Sequence, residues 1–180
     1  MKRLFRLAVM AVAVLWGGSV SAQKFARINM QEVIVAMPEF AEMQKNLEAF
    51  GKDLQEQMEQ IQVEFNNRAE EFQKNQATMA ASVKQMKQQE LQQIQQRYTE
   101  FERIANEDFQ KKQAELFEPV HKKAQEAVNK VAKAAGYIAV FDLTNQSLAY
   151  YDEAQMVDIA PAVKKELGIV EQPAAAAPAK

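Results

Sequence analysis

The sequence LEAFGKDLQEQMEQIQVEFNNRAEEFQKNQATM, residues 47–79, decides the fold of this chain. Its apolar side chains fall into two rows at heptad spacing, with Met58, Phe65, Phe72 and Met79 in one row and Leu47, Leu54 and Ile61 in the other. Gln, Glu and Lys, which are good helix formers, occupy most of the remaining positions. A helix with one apolar seam of this kind packs against a second helix as a coiled coil.

A second apolar seam follows toward the C-terminus and provides the partner helix. Its members are Leu91, Ile94, Tyr98, Phe101, Ala105, Phe109 and Leu116. The periodicity is weak between the two seams, over residues 77–83, where Ser82 is suited to cap the returning helix. We therefore predict an antiparallel coiled-coil hairpin over residues 41–119 with its tip near residues 77–83. The alternative is one unbroken helix that dimerises with another chain.

Short segments with strand and helix patterns flank the hairpin. Strand patterns cover residues 24–30, 137–143 and 147–151, and helical patterns cover residues 31–37 and 157–167. Pro38 is well placed to begin the first hairpin helix, and Gly136 to cap the second. A turn is predicted over residues 144–146, between the last two strands.

The flanking segments are predicted to form one small α/β body, residues 23–40 and 120–168, into which the hairpin is inserted. The fold class is therefore mostly α with a small β body. About three short strands per chain are marginal for a stable sheet, so we expect oligomerisation to pool them. The apolar side chains expected to build this oligomerisation body are Phe25, Ile28, Ile138, Val140, Phe141, Leu148 and Tyr150.

The two ends of the chain are interpreted as processing or low-complexity segments. Residues 1–22 have a basic start, an apolar run from Leu7 to Trp16 and small residues before a cleavage point, as in a secretory signal peptide. That run is shorter than the roughly 20 residues that span a bilayer. We therefore expect the chain to be exported. Residues 169–180, rich in Pro and Ala, are predicted to be a disordered tail.

The amino-acid composition disfavours several classes of function. Removal of residues 1–22 leaves 19 Lys and Arg against 24 Asp and Glu, a formal net charge of −5, which disfavours nucleic acid as a partner. Cysteine is absent, and the single histidine, His121, does not make a metal site by itself. The glycines after residue 22 are isolated, so no phosphate-binding loop is present. We predict no catalytic residues, no metal and no cofactor.

The segments around the hairpin resemble the Skp/OmpH family of periplasmic chaperones. The stretches that carry the resemblance are Phe25-Ala26-Arg27-Ile28-Asn29, Met37-Pro38-Glu39-Phe40, Pro119-Val120, Gly136-Tyr137, Val140-Phe141-Asp142 and Leu148-Ala149-Tyr150. The resemblance implies a homotrimer with pooled strands and projecting helical arms. It also implies an ATP-independent holdase that keeps unfolded outer-membrane proteins soluble. Contact with anionic membrane surfaces, associated with basic members, is not carried over because this chain is acidic.

Such a holdase needs apolar side chains that make weak contacts with many clients. Met and Phe on a polar helix suit this because Met is flexible and polarizable. The candidate client-binding residues are Met58, Val63, Phe65, Phe72, Met79, Met86 and Phe101. The competing interpretation is packing within the hairpin, which applies most to Phe65 and Phe72. A secreted structural or tethering coiled coil without chaperone activity is the alternative function.

Overall fold

The computed structural model describes residues 24–145 and 148–169. The predicted signal peptide and residues 170–180 of the predicted tail lie outside the described residues. Along the chain the elements are β1 (Lys24–Ile28), α1 (Met30–Val35), α2 (Pro38–Asn75), α3 (Ala81–Ala135), β2 (Tyr137–Asp142), β3 (Val157–Asp158) and α4 (Ala160–Glu166). None of the described helices combines the length and apolar character that crossing a membrane requires.

Helices α2 and α3 form the long antiparallel hairpin, so the prediction of fold class is confirmed. Pro38 stands at the N-terminus of α2, where its missing N–H costs no helical hydrogen bond. The 38 residues of α2 reach about 57 Å at 1.5 Å per residue. The reversal occupies residues 76–80, and α3 then continues through Pro119 into the body. The prediction that Ser82 caps the N-terminus of α3 is wrong, because α3 already begins at Ala81.

A three-stranded sheet in the order β2-β1-β3 forms the base of the molecule, with both outer strands parallel to β1. Arg27 lies opposite Phe141 on one side and Asp158 on the other. The carbonyl oxygen of Arg27 accepts a hydrogen bond from the N–H of Ile159 at 3.0 Å. Parallel strands need a long crossover, and the whole hairpin is the crossover between β1 and β2.

Two predicted elements differ from the structure. The strand expected over residues 147–151 is wrong, because the described residues 148–151 form no strand. The helix expected from residue 157 begins at Ala160, because Val157–Asp158 pair with β1. Residues 148–151 do not join the sheet of this chain beside β1, because β1 has two edges and β2 and β3 occupy both. Residues 148–151 remain outside the sheet, with the Tyr151 ring centroid 5.3 Å from the Arg27 guanidinium carbon.

The core of the body lies between the sheet, α1, α4 and the C-terminal part of α3. Its fully enclosed side chains include Ala26, Val33, Ala124 and Val163, each with no exposed surface. Lys164 is also buried, and its Nζ lies 2.5 Å from Glu32 Oε1. A buried ammonium needs such a partner, because leaving it unpaired costs several kcal/mol, roughly. The body therefore has a dense core of its own despite its short strands.

Candidate functional site

The arm, residues 41–119, leaves most of its apolar seam partly open. Among its apolar residues, Met43, Ile94 and Ala105 are buried, whereas every other member of the two seams is half-buried. Two helices in contact enclose only the strip between them, so side chains at the edge of that strip keep part of their surface in water. The arm therefore presents apolar surface along its length.

The structure places the predicted client-binding residues at two levels of exposure. Met58, Phe65, Phe72, Met79 and Phe101 are half-buried in the seam. The remaining two lie outside it, with 49 % of Val63 and 57 % of Met86 exposed.

Two further exposed apolar residues of the arm, Val83 and Ile104, were missed from the sequence. Both lie outside the heptad rows, as Val63 does. Apolar residues off the rows were therefore the signal that could have found them. Together Val63, Val83, Met86 and Ile104 give the arm exposed apolar side chains that do not belong to the seam.

Charged pairs join α2 and α3 in the outer half of the arm. Arg68 Nε lies 3.3 Å from Glu90 Oε1 across the arm, and Arg97 forms a second cross-arm pair with Glu64. All four side chains are at least a third exposed. Exposed pairs of this kind contribute only about 0–1 kcal/mol. The distal arm is therefore held together less firmly than the body.

Gly51 has a packing role inside α2. A Cβ added at this position would lie 3.2 Å from Cε2 of the Phe109 ring on α3. Glycine normally weakens a helix interior by about 1 kcal/mol relative to alanine. Here its missing side chain makes room for an aromatic ring from the opposite helix.

Two grooves on the arm have apolar floors and glutamine rims. The mid-arm groove, about 540 Å³, is lined by Phe65, Leu91, Gln92, Gln95 and Gln96. The base groove, about 520 Å³, includes Met43, Leu47, Gln110, Gln113, Ala114 and Phe117. No charged residue lines either groove. A third groove at the base, lined in part by Glu39, Glu42 and Lys123, is charged.

The body also exposes apolar side chains, most of them on the sheet or the segment that follows it. Phe25, Ile138, Tyr150 and Val157 are exposed, with 59 % of Ile138 and 85 % of Tyr150 in solvent. The ring centroids of Phe25 and Phe141 lie 6.1 Å apart. Val140, Phe141 and Leu148 are half-buried. Ile28 lies in the core of the single chain and supports the body from inside.

The Asp142 carboxylate ties the end of β2 to the start of α1. Its Oδ1 accepts hydrogen bonds from the N–H of Met30 at 3.2 Å and from the N–H and hydroxyl of Thr144 at 3.0 and 2.7 Å. Burial by itself raises the pKa of Asp142, but these bonds and the nearby His121 outweigh burial and hold the pKa below its ordinary value. Within the described ranges, no three acidic or histidine side chains group into a metal site.

Comparisons with known proteins agree on the family. The sequence profile described as Outer membrane protein (OmpH-like) matches residues 24–167. The chaperone protein Skp of Yersinia enterocolitica is 24 % identical over 167 residues, which cover 93 % of this chain and 99 % of that protein. A solved OmpH-like outer membrane chaperone from Caulobacter crescentus shares the fold, with a TM-score of 0.70 and 12 % identity over 82 % of this chain and 85 % of its own. The chain belongs to the OmpH-like family.

Proposed function

We propose that this chain is an ATP-independent holdase of the periplasm that keeps unfolded outer-membrane proteins soluble. The observation that carries the proposal is the half-open seam of the arm, with its additional exposed residues Val63 and Met86. Membership of the OmpH-like family and the similarity to a protein named chaperone Skp support it. A tethering coiled coil would need a seam buried along its whole length, which this arm lacks.

The contact chemistry fits a binder that holds clients without folding them. The candidate client-binding residues remain Met58, Val63, Phe65, Phe72, Met79, Met86 and Phe101. Burial of one apolar side chain contributes about 1.5–3 kcal/mol when it is complete, and half-buried side chains have only part of that left to give. Each contact is therefore weak and reversible, and several arms acting together supply the retention.

We further propose that the arms are brought together in a homotrimer through the body. The exposed residues Phe25, Ile138, Tyr150 and Val157 give the assembly an apolar surface. Within the described residues, the outer edge of β2 has no strand beside it. Unpaired edges are ready templates for pairing with another chain, and residues 148–151 of a second copy are a segment that can fill that edge.

A client assay tests the holdase. A urea-denatured outer-membrane β-barrel protein is diluted into buffer without ATP, and its precipitation is followed by light scattering. Molar excess of this protein should suppress precipitation, and the double variant Val63→Gln, Met86→Gln should protect several-fold less well. The matched control is Val35→Gln, because 53 % of Val35 is exposed but it lies on α1. Unchanged precipitation with the unmodified protein would rule out the proposal.

The trimer is tested separately by molar mass from light scattering. Ile138→Glu places a charge on the exposed face of the body and should yield a smaller species. Ile104→Glu, at an exposed site on the arm, serves as the control and should keep the mass of the unmodified protein. A monomeric unmodified protein would contradict the assembly but leave the client assay unaffected.

A further inference from the structure

The mid-arm groove and the base groove, both without charged lining, are related by a shift of 18 residues. On α2, Leu47 lies in the base groove and Phe65, 18 positions later, lies in the mid-arm groove. With about 3.6 residues per turn, 18 residues make five whole turns, so the two side chains leave the helix in the same direction. The corresponding pairs on α3 are Gln110 with Gln92, Gln113 with Gln95, and Ala114 with Gln96.

The repeat has the same direction on both helices. In the antiparallel hairpin, Phe65 lies nearer the tip than Leu47, and Gln95 lies nearer the tip than Gln113. At about 1.5 Å per residue, both shifts equal about 27 Å. Four of the five residues that line the mid-arm groove therefore have a counterpart in the base groove, about 27 Å closer to the body on the same face.

The chemistry of both grooves suits a polypeptide backbone. The side-chain amides of Gln92, Gln95 and Gln113 make no hydrogen bond to other described residues. Each amide carries two donor hydrogens and an acceptor oxygen, which complement the C=O acceptors and N–H donors of an extended backbone. The floors, which include Leu47 and Phe65, accept apolar side chains. The absence of charge in both linings disfavours a charged partner, whose desolvation would be uncompensated.

We propose that the two grooves form one docking face for an extended segment of an unfolded β-barrel protein. This inference rests on the proposed holdase function and names the element that the arm binds. An extended chain rises about 3.3 Å per residue, so about eight residues bridge 27 Å. Positions eight apart lie on the same side of a strand, and each inserts an apolar side chain into one groove.

The segment length matches the proposed clients. A membrane-spanning strand of a β-barrel has about 9–11 residues with alternating apolar side chains, which is enough to reach from Leu47 to Phe65. A helical segment would need about 18 residues for the same span. The glutamine rims then bind the backbone of the segment at each groove, so recognition does not depend on the particular polar residues in it.

A peptide-length series tests the spacing. Fluorescent peptides with alternating Leu and Thr, of about five and about eleven residues, are titrated into the full-length protein and followed by anisotropy. The longer peptide reaches both grooves and should bind at least about tenfold more tightly, because the second contact is intramolecular. An amphipathic peptide of about eleven residues, held helical by a side-chain crosslink because short free helices are unstable, spans only about 17 Å and should bind no better than the short one. Equal affinity for the short and long strands, or preference for the helix, would overturn the docking face.

A matched pair of variants tests the residues. Gln95→Glu with Gln113→Glu puts one carboxylate on each groove rim. The double variant should bind the longer peptide about tenfold less tightly, because a charge must be desolvated on binding. Gln88→Glu with Gln93→Glu makes the same charge change on exposed α3 positions outside both grooves. This control should change affinity by less than about twofold, since exposed charges are screened. Identical affinities of the two variants would contradict the assignment.

The client assay separates the two proposals. If the unmodified protein fails to protect a denatured β-barrel protein, the holdase function itself is wrong. If it protects, and the Gln95→Glu, Gln113→Glu variant binds the longer peptide as tightly as the control does, the holdase stands and the docking face is wrong.

Discussion

The body and the arm bury their apolar residues to different degrees, although one helix, α3, belongs to both. Toward its C-terminus, α3 buries Val120, Ala124 and Val128 against the sheet, α1 and α4, whereas in the arm it buries only Ile94 and Ala105. Several packed elements enclose a side chain from all sides, but a single partner helix leaves its flanks in water. The body therefore has the enclosed packing of a unique fold, whereas the arm keeps apolar surface open for the clients that we propose.

The largest expected effect compares an isoleucine of the body with one of the arm. Ile34, 2 % exposed, lies in the body core, whereas Ile61 is half-buried in the arm. Ile34→Ala should lower the free energy of unfolding by about 3 kcal/mol, because it leaves a cavity in a dense core. Ile61→Ala should cost about 1 kcal/mol or less, because water fills its site. Urea denaturation followed by circular dichroism measures both, and equal costs would show that the arm is as tightly packed as the body.

Two glycines should respond to alanine with opposite signs. Gly136 ends α3 with φ of 73°, so Gly136→Ala should lower the free energy of unfolding by about 1–2 kcal/mol. Gly51→Ala gains up to about 1 kcal/mol of helix propensity, reduced by the contact at 3.2 Å with Phe109. We expect Gly51→Ala to raise the free energy of unfolding by up to about 0.5 kcal/mol. Thermal melts measure both variants, and a clear loss for Gly51→Ala would show that the Phe109 ring cannot shift.

The body should also depend more on acidic pH than the arm does. The pKa of Asp142 is lowered in the folded protein from its ordinary value of 3.8. Its stabilising contribution is thus complete above the ordinary value and is lost as the pH falls through the lower, folded value. Asp142→Asn should lower the free energy of unfolding by on the order of 1 kcal/mol at neutral pH. It should also make the stability of the body less sensitive to acid below about pH 4.

An exposed carboxylate of the arm provides the control for this pH dependence. The hydrogen bond from Arg103 lowers the pKa of Glu100, but the pair lies on the surface of α3. Glu100→Gln should leave the acid dependence of the body unchanged. Hydrogen exchange of β1 and α1 across the pH range measures both variants. Identical profiles for Asp142→Asn and the unmodified protein would show that Asp142 does not cause the acid dependence of the body.

The smallest effect concerns salt and the cross-arm ion pairs. Arg68→Gln breaks the pair with Glu90 and should raise hydrogen exchange near the tip by about twofold, which corresponds to less than 0.5 kcal/mol, roughly. High salt should produce a similar change in the unmodified protein by screening the pair. Lys52→Gln breaks a pair within α2, with Glu56, and should leave tip exchange unchanged. A salt effect as large in the body as at the tip would mean that ion pairs do not distinguish the two regions.

The sequence by itself determined the hairpin and its ends. Heptad rows such as that of Met58 and Phe65 are a local, periodic signal, and Pro38 and Gly136 act on the backbone next to them. The reversal, at residues 76–80, was expected near residues 77–83 because the heptad periodicity is weak there. Strand β1 was also expected from local alternation, and β2 from its strand pattern over residues 137–143. Signals of this kind need no knowledge of distant residues.

Only the tertiary structure decided which short segment completes the sheet and which arm residues stay open. Val157–Asp158 pairs with β1 in place of the more strand-like residues 148–151, because strand pairing depends on which edge the folded chain can reach. The ring of Phe109 against Gly51, and the two grooves related by a shift of 18 residues, join positions on two antiparallel helices. Such features arise from the register between distant segments, which sequence periodicity along either helix does not contain.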